Sequence, residues 1–435
     1  MSQPSDFLPA RRLPLVYFGF AHLCLALALS VLVFAPGRVA GFYYQPRAFA
    51  VVHLVTLGFI SGSILGALYL VAPLAFRLPL PVRRSDWVAF ASFTIGTLGM
   101  ASHFWIDRPS GMLWAAPLPF FALAYIGGRV LRGLTTAPIP REVKLHVAFA
   151  YINVLLAGLL GFVLGFNKVR PLVELRPFAG VVAHAHLAAV GWALMMVMGA
   201  GYRLLPMFLP SAMPRGGWLS ATAALTQLGL IGFVLHELAR GEASVVWAAV
   251  IAGGILLFLT RVVWMLRHPK PTPKRLQRPD WGMAHALSGL VCLVGSMGLG
   301  LYLASAEPSD QTLQLGKVYG LLGLVGFLAQ MVIGVEGRLL PLTAWVWSFA
   351  EGGYGDQPGS QYEMPIRGLQ AAGFLAWTLG LPLLAWGLYA EAERFVSAGA
   401  ALLLLATLGG LANGATVLRR SRRRAAPPPR SYSRG

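Results

Sequence analysis

The sequence predicts an all-α membrane protein of about twelve transmembrane helices, arranged as three pseudo-symmetric four-helix repeats. Three observations predict it: an apolar composition, apolar blocks long enough to cross a bilayer, and a glycine, proline and histidine pattern that returns along the chain. Of 435 residues, 57% are hydrophobic and 12% charged, about half the charge of an ordinary soluble domain. Water is therefore not the main solvent.

The apolar blocks run over 13–35, 48–75, 86–106, 112–132, 143–166, 178–206, 218–238, 243–266, 281–304, 312–341, 366–388 and 394–418. Each reaches the ~20 residues that a helix needs to cross ~30 Å of hydrocarbon. The first is too long for the core of a cleavable signal, and no small-residue cleavage site precedes the turn at Pro36-Gly37, so it is expected to remain as helix one. Cys24 and Cys292 both fall in apolar blocks and no Cys-x-x-Cys-His occurs, which argues against a disulfide framework and covalent c-type haem.

The net charge is +19. If the amino terminus is inside, cytoplasmic segments receive 26 of the 35 Lys and Arg residues and the outer loops receive 9. This asymmetry predicts a multi-pass protein of the plasma (inner) membrane with both termini cytoplasmic. The basic runs from Lys270 to Arg278 and from Arg419 to Arg424 are placed to meet anionic lipid headgroups, so lipid rather than nucleic acid is the expected partner.

Aligned without gaps, His53 to Pro73, His186 to Pro206 and Leu321 to Pro341 share a pattern. Gly58, Gly191 and Gly326 coincide, as do Gly66, Gly199 and Gly334, and Arg203-Leu-Leu-Pro206 recurs as Arg338-Leu-Leu-Pro341. These are helices two, six and ten, so the repeating unit is four helices: 1–135, 136–278 and 279–420, followed by a basic tail at 421–435. An even number of crossings returns each unit to the same side, as parallel repeats require. A looser echo places His22, His146 and His285 on the preceding helices.

Ionisable residues inside a membrane are costly and mark functional sites. His53, His184 and His186 lie within about two turns of the outer face, and His103 and His236 end helices three and seven on that side. His184 and His186 are two apart, separated by about 200° on an α-helix, so they face different compartments. Imidazole is a common ligand for haem iron, copper and zinc. His53 and His186 hold equivalent positions, so a b-type haem between them is the expected arrangement. His184 then remains for a second haem or for copper, with His236 or His103 as further metal ligands.

Twelve helices in three units of four, with histidines toward the outer third, resemble subunit I of the haem-copper oxidases and nitric oxide reductases. The stretch from His184 to Trp192 also resembles the smaller NnrS-type haem- and copper-containing membrane proteins. The resemblance implies that His53 matches the family's low-spin haem ligand, and that His184 or His186 matches its helix-six metal ligand. Helix seven lacks the family's adjacent His-His pair, and helix ten has Tyr319 and Leu321 where a His-x-His is expected. The implied function is electron transfer or diatomic-gas chemistry with nitric oxide or oxygen; if an enzyme, the protein is an oxidoreductase. The implied partners are an electron-donor protein or quinol, and further subunits. Two other readings stand beside it: a non-enzymatic metal- or haem-handling or nitric oxide stress-response protein, and a transporter built from three repeats.

Overall fold

The computed structural model describes residues 7–171, 173, 174, 176–240, 244–352 and 359–425, so most of the basic tail predicted at 421–435 lies outside the described residues. The described chain is helical, with no strand beyond one isolated bridge between Ser211 and Pro269. Its helices are α1 (Arg12–Phe34), α2 (Pro46–Ala75), α3 (Arg84–Trp105), α4 (Pro109–Thr136), α5 (Arg141–Asn167) and α6 (Phe178–Phe208). Then follow α7 (Trp218–Arg240), α8 (Val245–Arg267), α9 (Trp281–Ser305), α10 (Asp310–Glu351), α11 (Arg367–Tyr389) and α12 (Glu393–Arg422). Eleven are long and apolar enough to cross a membrane. The other, α3, is of similar length but opens on Arg84 and Asp86 and carries several Ser and Thr residues. The protein is thus a multi-pass membrane protein.

Helices α2, α6 and α10 touch one another at the centre. The other nine form a closed belt in the order α1, α3, α4, α5, α7, α8, α9, α11, α12, each touching the next and the last returning to α1. Burial follows this division: the most apolar stretch of α2 is 83% buried, whereas those of α9, α11 and α12 are 28% buried. Belt helices turn Leu23, Val88, Phe121, Val291 and Leu405 outward, as lipid-facing side chains should be.

Each central helix contains one eight-residue π-helical stretch: Leu54–Ser61, Leu187–Leu194 and Leu322–Ala329. Each begins immediately after His53, His186 or Leu321, the positions that align in sequence. Inside these stretches the aligned glycines meet the preceding helix. A Cβ would stand 2.6 Å from Cys24 Cβ at Gly58, 2.6 Å from Asn153 Cβ at Gly191 and 3.0 Å from Cys292 Cβ at Gly326. At Gly58 and Gly191 a side chain would force the neighbouring helix to shift, and at Gly326 the fit is tight.

About two turns further on, the looser echo is corrected. Gly66 packs on Tyr17 and Gly199 on His146, so Tyr17 of α1, not His22, stands where His146 stands in α5. The loop joining each pair varies in length, so sequence separation alone misplaced this register.

Both ends of the described chain lie on one face, here the terminal face: Trp347 Nε1 donates to Pro9 O at 2.9 Å and Ser348 Oγ to Ser421 O at 2.6 Å. The three central helices enter from the opposite, distal face.

Candidate functional site

Beneath the distal face, His53 of α2 and His184 of α6 bring their rings to a centroid separation of 6.2 Å with planes 22° apart. Each ring is anchored through Nδ1. His53 Nδ1 lies 2.8 Å from Phe49 O, one turn back on its own helix, and His184 Nδ1 lies 2.9 Å from Ala157 O on α5. A neutral imidazole that donates from Nδ1 keeps the lone pair on Nε2, which is the tautomer a metal requires. The His184 ring fits against α5 because residue 161 is glycine: a Cβ there would stand 2.7 Å from His184 Cε1. Phe104 closes the other side of His53, with ring centroids 5.0 Å apart.

Facing the other way from α6, His186 uses both ring nitrogens. Its Nδ1 lies 2.8 Å from Val182 O, and the Tyr319 hydroxyl is 3.0 Å from Nε2. The rings of His186 and Tyr319 are 6.0 Å apart with planes 24° apart, and Phe233 of α7 packs on His186 at 4.6 Å. The opposite facing of His184 and His186 matches the two-residue spacing, but the partner of His53 differs from the sequence expectation. It is His184, because the α5 side of α6 turns toward α2 while the α7 side turns toward α10.

The remaining histidines are dispersed. His103 packs edge-on to Trp114 at 5.6 Å and against Gly111. No group of three or more His, Cys, Asp or Glu suited to hold a metal ion occurs among the described residues. His146 and His285 are buried against Tyr202 and Trp377 respectively. Tyr319 was not singled out from the sequence as a site residue. The available signal was its place two residues before Leu321, as His184 is two before His186.

Deeper toward the terminal face, the central helices surround a cavity of about 80 Å³. Its walls are tiers of aligned positions: Ser63, Met196 and Met331; Ile64, Val197 and Val332; Leu68, Gly201 and Glu336.

No family model matches this chain, and no match is found among curated proteins.

Proposed function

We propose that this is an integral membrane b-type haem protein, similar in kind to the haem-copper oxidase superfamily, that holds its metal group between His53 and His184. The observation that carries the reading is the geometry of that pair. The observed separation is 6.2 Å, with nearly parallel rings and both Nδ1 atoms anchored on carbonyls. A haem in that place, with both imidazoles as ligands, would supply one-electron transfer chemistry. The chain's own contribution is to fix the tautomer of both imidazoles and to keep water away with Phe104 and Phe49. His186, with both nitrogens engaged, holds α6 to α10 instead.

The three-repeat architecture belongs to the same proposal. It is supported by the matched π-helical stretches, by the belt order in which α1, α3 and α4 precede α5, α7 and α8 and then α9, α11 and α12, and by the tiers of the central cavity. Units that follow one another around an axis meet head to tail, so a residue faces a different residue of the next unit. His53 with His184 and His186 with Tyr319 are such pairs, each joining one position to the position two residues before its counterpart. This is why the equivalent residues His53 and His186 do not face each other.

The test is a dithionite-reduced minus oxidised spectrum of the purified full-length protein, with metal analysis of the same sample. A low-spin haem signal is expected, abolished by His53→Ala and by His184→Ala and retained in His186→Ala. Absence of both haem and a transition metal from the wild-type protein would overturn the reading in favour of a transporter.

A further inference from the structure

The central cavity is apolar except at one corner. Glu336 of α10 places Oε2 3.4 Å from His22 Nε2 of α1, with both side chains 13% exposed. His22 Nδ1 lies 3.0 Å from Phe18 O, so its Nε2 is the nitrogen left to meet the carboxyl. Glu336 Oε1 is buried without a hydrogen bond. Ser63 stands beside the carboxyl.

Other ionisable groups on the neighbouring helices are turned elsewhere. Arg338 pairs with Asp280 at 3.2 Å, Arg203 donates to Ala75 O, and Tyr69 and Arg129 engage Asp86. Tyr17 packs on Phe90, Tyr202 on His146, and His285 on Phe374 and Trp377, while Cys24 and Cys292 lie against Gly58 and Gly326. His22 is thus the titratable group that faces Glu336.

Packing does not call for an acid here. The aligned positions in α2 and α6 are Leu68 and Gly201, which line the same cavity. A carboxyl in a membrane interior is costly and persists where it has work to do. A shared proton makes this pair tolerable, because a neutral acid beside a neutral imidazole, or a carboxylate beside an imidazolium, carries no net charge.

We propose that Glu336 and His22 form a proton-binding site that opens onto the central cavity. A proton delivered by hydronium from the cavity adds to a Glu336 oxygen and gives the neutral acid; it leaves by the same route or passes to His22 Nε2. The site is separate from His53 and His184 and does not depend on their holding a haem.

Dicyclohexylcarbodiimide tests it in the full-length protein. The reagent partitions into apolar regions, where the O–H of a protonated carboxyl adds across its N=C=N group and the product rearranges to a stable N-acylurea. Peptide mass mapping is expected to find the adduct on Glu336, falling on the order of tenfold between about pH 5 and about pH 9 as the proton is lost. His22→Ala is expected to move that profile, and Glu336→Gln to remove the adduct. The proposal is overturned if wild-type Glu336 is unlabelled throughout, if labelling is the same at every pH, or if the His22→Ala profile superimposes on the wild type. The readout is a mass, so it is independent of any haem spectrum.

Discussion

At the scale of single residues, the site rests on atoms that hold imidazoles in place. Gly161 is the clearest case, since even one methyl group would meet the His184 ring at 2.7 Å. Gly161→Ala is therefore expected to weaken the low-spin signal on the difference spectrum while the protein still elutes as a folded species, because a misplacement of about 1 Å disables a site built on fixed geometry. A spectrum identical to wild type would show that the ring position is not critical. The opposed directions of His184 and His186 could be read from the sequence, because two residues on an α-helix subtend about 200°. The partner of each could not. Whether His53 meets residue 184 or 186 depends on how α2 and α6 sit around a common centre, and a helical period carries no such information. The same limit hid the pairing of His22 with Glu336, 314 positions apart in the chain.

Among the helices, close approach is set by glycine. In the α11–α12 hairpin, a Cβ at Gly399 would stand 2.5 Å from Leu384 N and 2.7 Å from Gly380 O, and backbone atoms cannot move aside. Gly399→Val should lower the thermal midpoint by an amount corresponding to about 1–3 kcal/mol of overpacking. Gly409→Val in the same helix, with nothing within 4 Å, should leave it nearly unchanged. Equal midpoints for the two variants would contradict the packing account. On the distal face, Glu391 in the loop before α12 accepts from Gln314 and Lys317, and these bonds hold its carboxyl below the usual carboxylate value. A depressed value stabilises the fold above the unfolded-state value of about 4.3, and that contribution is lost as pH falls through the folded value. The difference in midpoint between wild type and Glu391→Gln should therefore shrink below about pH 4.3; because the group is exposed, it should be small at any pH. Helix positions were legible from the length of the apolar blocks. The π-helical stretches were not, although the glycines within them were the strongest repeat signal. Backbone hydrogen-bond shifts leave no compositional trace, while the close contacts they accompany do.

For the molecule as a whole, both ends of the described chain share the terminal face, and the division of Lys and Arg predicts that this face is cytoplasmic. A reporter fused after Arg424 should be active only inside the cell, and a periplasmic signal would invert every depth assigned above. The count of about twelve helices and the membrane class were plain in the sequence, because a bilayer imposes one length on every crossing. The belt around three central helices was not, since neighbours in the ring are neighbours in the chain only part of the way round. The aligned rings beneath the distal face carry one last consequence. His53 with His184 and His186 with Tyr319 use the same joint, at 6.2 and 6.0 Å, fitted with different chemistry. On the proposed three-repeat reading, the same register would pair Leu321 with Val51 at a third joint, a blank. On the three-repeat reading proposed above, a further ligand pair at that place requires two substitutions, at Val51 and Leu321, rather than a new fold.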